Sequence, residues 1–247
     1  LIEAKIKAEE QARIKHKAVE IRDQFVAVLG HDLRNPLAAV EAGARMLAIS
    51  QQLEPREKTI INEMEKSLKR AHNLIDDVLD LARGKLGGEF VIDWQKGQYI
   101  RPVIEHVTNE LRAIASEREI VTHLNLDEPV DCAPDRIGQL VSNLLANAIN
   151  HGAPDQPIVL TGDTARDRLT ISVANGGEPI PKSAQAMLFK PFARGRTART
   201  KQGLGLGLFI VKEIAKAHRG KMTVSSTKKE TKFTMSMPRT SDFIESS

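Results

Sequence analysis

The 247-residue sequence lacks the features that mark secreted, membrane-spanning or nucleic-acid-binding proteins. Its single cysteine, Cys132, excludes a disulfide framework and a multi-cysteine metal site, and this favours a reducing compartment. No apolar run approaches the length of about 18 residues that a membrane span needs, and no segment has the pattern of a signal peptide, so a cytoplasmic location is expected. The net charge of +4 is small and scattered, which argues against nucleic acid as a partner.

Aromatic residues are also scarce, at 4%, so the core is expected to be packed by aliphatic side chains. The 41% of hydrophobic and 28% of charged residues are typical of a soluble globular chain. The length is sufficient for two domains. Because the helical pattern is already under way at Leu1, we expect the sequence to be a piece of a longer protein.

The first third of the chain has the pattern of two long amphipathic helices, with apolar residues at alternating three- and four-residue steps. The first helix carries two seams that are out of register, Ile14, Ala18, Ile21, Phe25 and Val28 and then Leu33, Leu37, Val40, Ala44 and Leu47. The second helix carries Ile61, Met64, Leu68, Ala71, Ile75, Val78 and Ala82. Pro55 can begin this second helix, and Gly84, Gly87 and Gly88 end it.

Each helix has one apolar stripe, so the pair cannot close a core alone. Pairing with a second copy into a dimeric four-helix bundle is therefore predicted, with a generic coiled-coil spacer as the alternative. The register changes near Gly30, and at about 100° per residue His31 lies opposite Leu29 and Leu33, facing solvent.

Beyond Gly88 the pattern changes to that of a mixed domain. Helices are predicted over Tyr99–Ser116, Asp135–Asn150 and Leu204–His218. Strands are predicted over Ile120–Leu126, Ile158–Thr161, Leu169–Val173 and, as a closing hairpin, Met222–Ser225 and Phe233–Met237. Together they predict an α+β sandwich with the helices on one face of a mixed sheet.

The first of four motifs that carry chemistry is FVAVLGHDLRNPL, from Phe25 to Leu37. His31 has a neutral ring nitrogen near pH 7 that can act as a nucleophile. Asp32 can accept the proton of the other ring nitrogen and stabilise the cation that forms on attack. Asn35 lies one turn further on the same face, where it can orient a water. An exposed histidine without a task is the alternative.

The second motif is NLLANAINHG, in which Asn143, Asn147 and Asn150 share a helix face. Their amides can hold Mg²⁺ and phosphate oxygens without adding negative charge, although helix-surface asparagines without a task are the alternative. The third motif, VANGGEPIP, is a glycine-rich turn after an apolar strand. The fourth, GLGLGL, opens a helix whose N-terminus favours anions. No strand precedes it and no Lys-Ser/Thr pair follows it, so it is neither a dinucleotide fingerprint nor a P-loop.

In this order and spacing the motifs resemble those of the sensor histidine kinases of two-component signalling, including phytochrome-like and other light-sensing members. The matches are Phe25–Leu37 with the H-box, Asn143–Asn150 with the N-box, Asn175–Ile180 with the first glycine box, Phe189–Phe192 with the F-box and Gly203–Leu208 with the second glycine box. The resemblance implies an α-helical hairpin forming a dimeric four-helix bundle, followed by an α+β sandwich ATP-binding domain of the GHKL (Bergerat) type. It divides the chain into a signalling linker helix (1–24), a dimerisation and histidine phosphotransfer domain (25–88), a catalytic ATP-binding domain (89–240) and a tail (241–247).

The resemblance also implies roles. His31 would take the γ-phosphoryl group of ATP, assisted by Asp32, while Asn147 would hold Mg²⁺. The other residues implied to bind ATP are Asn143, Asn150, His151, Asn175, Gly177, Ile180, Phe189, Phe192, Gly203, Leu204, Gly205, Leu206, Gly207 and Leu208. The lid between Phe192 and Gly203 would carry Arg194, Arg196, Arg199 and Lys201. The implied partners are a second copy, a response regulator receiver domain and an upstream sensor domain, and Asn35 would support dephosphorylation of the regulator.

Two positions depart from the family pattern. Asn175 stands where an aspartate usually accepts a hydrogen bond from the adenine amine, so Asn175→Asp is expected to tighten ATP binding. Asn150 and His151 stand where a basic and an aromatic residue are usual. The alternatives are a degenerate kinase core acting as a dimeric adaptor and a non-kinase ATPase of the same fold, although such ATPases need a glutamate base where Asn143 stands.

Overall fold

A computed structural model describes residue 33 and residues 37–48, 54–85, 92–165, 167–193 and 205–240. The chain divides into two compact units, Leu1–Glu89 and Phe90–Ser247. None of the helices within the described ranges is long and apolar enough to cross a membrane.

The first unit contains helix α1 over residues 37–48 and helix α2 over Pro55–Lys85. As predicted, Pro55 begins α2, where the N–H that proline lacks would have no helical partner. The Glu57 carboxylate turns back and accepts a hydrogen bond from the backbone N–H of Glu54 (2.8 Å), which caps the start of the helix. The seam predicted before residue 33 lies outside the described residues.

The predicted apolar seam is only partly covered within one chain. Ala44, Ile61 and Leu68 are buried, as the heptad pattern predicted. The remaining seam positions of the described residues include exposed side chains, namely Val40, Leu47, Met64 and Val78. Several large apolar side chains left in water along one predicted seam are typical of a surface that another protein covers.

The second unit is built from seven strands and four helices among its described residues. In chain order they are β1 (Gln95–Gln98), α3 (Arg101–Ile114), β2 (Ile120–Asn125), β3 (Val130–Cys132), α4 (Pro134–His151), β4 (Ile158–Asp163), β5 (Arg168–Asn175), α5 (Lys182–Gln185), α6 (Gly207–Ala217), β6 (Lys221–Ser226) and β7 (Thr231–Pro238). Five strands form one sheet in the order β2-β4-β5-β7-β6, and β1 pairs with β3. Only β2 and β4 pair in parallel within the larger sheet, so the mixed sheet predicted from the sequence is confirmed.

Helix α4 forms because its apolar residues recur at three- and four-residue steps and face the sheet. Ile137, Leu140, Val141, Leu144, Leu145 and Ala148 are all buried. Pro134 occupies the first turn, and His151 ends the helix one residue beyond the predicted boundary. The opposite face of α4 is thereby left for polar side chains at the edge of the core.

Strands β1 and β3 and helix α5 were not predicted. β1 has the sequence QKGQ, which has no apolar alternation, and β3 has three residues. Their pairing depends on a long-range contact, in which Asp131 accepts a hydrogen bond from the backbone N–H of Gly97 (2.8 Å). The helix predicted from Leu204 begins at Gly207, because Gly205 has a left-handed backbone (φ 69°) that no helix continues.

Candidate functional site

The polar face of α4 presents the asparagines of the second motif. Asn143 and Asn147 are half-buried and Asn150 is exposed, so the row runs from the interior to the surface. The Nδ2 atom of Asn143 is buried and has no hydrogen-bond partner among the described residues. A buried amide donor without a partner costs about 1–3 kcal/mol, so its retention indicates a partner other than the described residues.

The start of α6 lies against this amide. A Cβ atom at Gly207 would be 3.7 Å from Asn143 Cγ and 3.8 Å from its Oδ1, which are ordinary contact distances, so the start of α6 is a close neighbour of the asparagine. Among the described residues no side chain caps the N-terminus of α6, where Leu206 is the residue before the first turn. Uncapped N–H groups and the helix dipole make this end favourable for an anion.

The backbone on either side of residues 194–204 comes together at Gly205. A Cβ atom there would lie 3.0 Å from the Ala193 carbonyl oxygen and 3.3 Å from the carbonyl carbon of Phe192. Glycine is therefore needed both for the positive φ of 69° and for the close approach. Phe192, which is exposed, also has a positive φ of 61°.

The end of β5 forms the other side of the site. Asn175 is buried, and its alternation with Ile171 and Val173 places it on the helix-facing side of the sheet. Its Nδ2 donates a hydrogen bond to the carbonyl of Gly176 (2.8 Å). This contact assigns Oδ1 as the atom that remains to accept a bond from a ligand. Gly177 (φ 134°) then turns the chain against the end of α4.

The remaining described residues of the predicted site lie along the segment after this turn and at the start of α6. Ile180 donates its backbone N–H to Ser226 Oγ (2.8 Å) and is half-buried. Phe189 packs edge-on against Phe233, with ring centroids 6.2 Å apart. Leu206 is buried and Leu208 half-buried, whereas His151 is exposed at the end of α4.

The structure thus brings together Asn143 with Gly207, and Asn175 and Gly177 with the end of α4. Several predicted site residues lie outside the described residues, namely His31, Asp32, Asn35, Arg194, Arg196, Arg199, Lys201, Gly203 and Leu204. Sequence reasoning missed Arg118, which contacts the end of α4. A lone arginine far along the chain from its partners leaves no local pattern by which it could be found.

Two family models match the chain in succession. Residues 21–87 match the His Kinase A (phospho-acceptor) domain. Residues 132–241 match the Histidine kinase-, DNA gyrase B-, and HSP90-like ATPase.

Curated relatives match most of this chain. The Bacteriophytochrome of Pseudomonas aeruginosa is 32% identical over 88% of this chain and 30% of its own length. The Probable sensor histidine kinase TcrY of Mycobacterium tuberculosis is 32% identical over 87% of this chain and 45% of its own length. The chain therefore spans less than half the length of these two relatives.

Solved structures show the same fold. Full-length ShkA in complex with AMPPNP superposes with a TM-score of 0.66 at 24% identity, over 87% of this chain and 45% of that one. The histidine kinase ThkA in complex with the response regulator protein TrrA gives a TM-score of 0.55 at 23% identity, over 94% of this chain and 66% of that one.

Proposed function

Because the chain belongs to the sensor histidine kinases of two-component systems, we propose that it phosphorylates His31 with ATP and passes the phosphoryl group to an aspartate of a response regulator. The observation that carries the ATP site is the Asn143 side chain, whose buried Nδ2 has no partner among the described residues and whose Cγ and Oδ1 lie beside Gly207 at the N-terminus of α6. An amide donor close to the backbone N–H groups of a helix start suits the oxygens of a polyphosphate.

The adenine end of ATP lies at Asn175 in this proposal. The Gly176 carbonyl accepts a hydrogen bond from Nδ2, which leaves Oδ1 to accept a hydrogen bond from the adenine amine. Ile180, Gly177 and Phe189 line the base beyond it, and Phe192 stands where the lid begins. Asn150 and His151 at the end of α4, together with Gly203, Leu204, Gly205, Leu206 and Leu208 and the lid cations Arg194 and Lys201, complete the proposed nucleotide site.

We place Mg²⁺ in this proposal at the same face of α4. No group of three or more histidine, cysteine, aspartate or glutamate side chains in the described part of the chain could hold a metal ion. The half-buried amide of Asn147, one turn from Asn143, offers a neutral oxygen that would hold Mg²⁺ together with ATP phosphate oxygens. Bound there, Mg²⁺ would neutralise charge on the phosphates.

In the phosphoryl-transfer step, the only covalent bond that the protein forms is the one from His31 to phosphorus. The neutral ring nitrogen of His31 attacks the γ-phosphorus in line, an N–P bond forms, the bond to the bridging oxygen breaks and ADP leaves. Asp32 accepts the hydrogen bond of the other ring nitrogen and stabilises the imidazolium. Asn35 would orient water for a separate reaction, the hydrolysis of the regulator's phospho-aspartate, which releases inorganic phosphate.

The partners that we propose are those expected of the family, a second copy of the chain and a response regulator. The exposed seam residues Val40, Met64 and Val78 support a homodimer through a four-helix bundle. The fold shared with ThkA, whose structure contains a response regulator, supports such a regulator as the phosphoryl acceptor. We propose that the chain has four parts: a linker helix (1–24), a phosphotransfer domain (25–88), a catalytic domain (89–240) and a tail (241–247).

The experiment is incubation of the full 247-residue chain with γ-labelled ATP and Mg²⁺. We expect label on the protein that acid removes, because a phosphohistidine is acid-labile. His31→Gln should abolish this label but leave ATP binding by calorimetry unchanged, and His106→Gln, at an exposed histidine of the other unit, should retain it. Acid-labile label on His31→Gln would exclude His31 as the acceptor.

The same assay separates the alternatives. A non-kinase ATPase would release inorganic phosphate without labelling the protein. A degenerate core that acts only as a dimeric adaptor would neither label itself nor release phosphate.

A further inference from the structure

The C-terminus of α4 is held by a cation that belongs to none of the four motifs. Gly152, which follows the helix, is extended (φ −73°, ψ 153°), so α4 lacks the left-handed cap that often satisfies the last carbonyls. The guanidinium of Arg118 takes this role. Its Nη1 donates to the carbonyls of Ile149 (3.0 Å) and Gly152 (3.2 Å), and its Nη2 donates to that of Ala153 (3.0 Å).

The segment that Arg118 binds, Gly152 and Ala153, packs against the turn after β5. A Cβ atom at Gly152 would lie 3.1 Å from Arg118 Nη2 and 3.0 Å from Asn175 Cβ, so the glycine is packed between them. The backbone N–H of Ala153 donates to the Gly176 carbonyl (2.9 Å), which also accepts the amide of Asn175. The guanidinium, the end of α4 and the Asn175 turn therefore form one packed cluster.

Arg118 is itself held firmly. Its backbone N–H donates to the Ala115 carbonyl (2.9 Å) at the end of α3, and the next residue, Glu119, accepts a bond from Ile158 of β4 (2.9 Å). The side chain is half-buried, which strengthens its bonds to the carbonyls. A planar fork with several fixed donors is suited to binding three carbonyls at once, as a lysine is not.

We propose that Arg118 locks the last turn of α4 onto the Asn175 turn and so acts as a positioning residue for ATP binding. This inference rests on the proposed function, since α4 carries the amides of Asn143 and Asn147 and the turn carries the adenine acceptor. The two sides of the nucleotide site keep their spacing only while this junction is closed. If the junction opens, ATP binds the closed fraction alone, and the apparent Kd rises by the inverse of that fraction.

The test is Arg118→Gln in the full chain, with Arg112→Gln as the matched control. Arg112 is also half-buried and donates to a backbone carbonyl, that of Ile120 (2.6 Å), but it does not touch α4 in any described hydrogen bond. Arg118→Gln should raise the Kd and KM for ATP about tenfold, which corresponds to about 1.4 kcal/mol, with kcat nearly unchanged. Arg112→Gln should lower thermal stability without changing the Kd.

Hydrogen exchange gives a second readout. The Ala153 amide should exchange faster in Arg118→Gln than in the unmutated chain, and at an unaltered rate in Arg112→Gln. Arg118→Lys keeps the charge but not the planar fork, so its Kd for ATP and its Ala153 exchange rate should lie between those of the unmutated chain and Arg118→Gln. It replaces Arg118→Gln in the test if that variant does not fold.

Unchanged ATP affinity in a folded Arg118→Gln or Arg118→Lys variant would overturn this inference and leave the proposed function intact. An unmutated chain that binds no ATP would overturn both.

Discussion

At the scale of single residues, the orientation of the Asn175 amide determines which substitutions the site tolerates at this position. Its Nδ2 is bonded to the Gly176 carbonyl at 2.8 Å, a contact in which only a donor is favourable. An aspartate at this position would bring a carboxylate oxygen against that carbonyl. The sequence-based expectation that Asn175→Asp tightens ATP binding is therefore replaced by its opposite.

Asn175→Asp is expected to lower the stability of the second unit by about 1–3 kcal/mol, because the Gly176 carbonyl keeps the Ala153 N–H but loses its second donor and meets a negative charge. It should also weaken ATP binding in calorimetric titration. Asn125→Asp, the same substitution at an exposed strand end, is the control and should leave both quantities unchanged. Tighter binding by Asn175→Asp would mean that the side chain turns towards the nucleotide rather than the Gly176 carbonyl.

At the scale of elements, His218 joins the end of α6 to the start of α4. Its Nε2 accepts a hydrogen bond from the backbone N–H of Ala133 (3.0 Å), so the ring hydrogen lies on Nδ1, which donates to the Ile214 carbonyl (2.8 Å). The ring also packs on Trp94, with centroids 5.3 Å apart. Burial lowers the pKa of His218 below its ordinary value of 6.5, the bond to Ile214 opposes this, and the Arg136 charge lowers it further.

A lowered pKa in the folded state means that the unfolded chain binds a proton first as the pH falls. The stabilisation from neutral His218 is therefore complete above pH 6.5 and is lost as the pH falls from there towards the lowered pKa, with a slope of at most about 1.4 kcal/mol per pH unit. Urea unfolding followed by Trp94, the only tryptophan, measures this unit directly. His218→Gln should be less stable at pH about 7.5 and less dependent on pH. His123→Gln, at an exposed histidine, should keep the original slope, and equal slopes in all three proteins would contradict the assignment.

At the scale of the whole molecule, the exposed half of the helical seam predicts the assembly. Leu68 is 8% exposed within one chain and Val78 is 43% exposed, so Val78 tests the dimer and Leu68 tests the hairpin itself. Val78→Glu should yield a monomer in sedimentation equilibrium, because covering one such side chain contributes roughly 1.5–3 kcal/mol and a two-fold dimer repeats each change.

Asn62→Glu places the same charge on the outer face of α2 and should remain a dimer. An unchanged dimer in Val78→Glu would place the contact between copies elsewhere on the chain.

The sequence by itself determined the elements whose cause is local. The heptad steps predicted α2, the three- and four-residue steps predicted α4 with its asparagine face, and the apolar alternation predicted β4, β5 and the closing hairpin. The order of the motifs was sufficient to identify the family. These signals are readable because neighbours on a helix or strand face are only a few residues apart.

Only the tertiary structure decided how those elements are joined at the site. Arg118 bonds to carbonyls 31 to 35 residues away, and His218 bonds to a residue 85 away. The cost of closing such loops grows only slowly with their length, so chain separation favours no particular partner. The partner is selected by the packing of α3, α4, α6 and the sheet, which no local pattern in the sequence records.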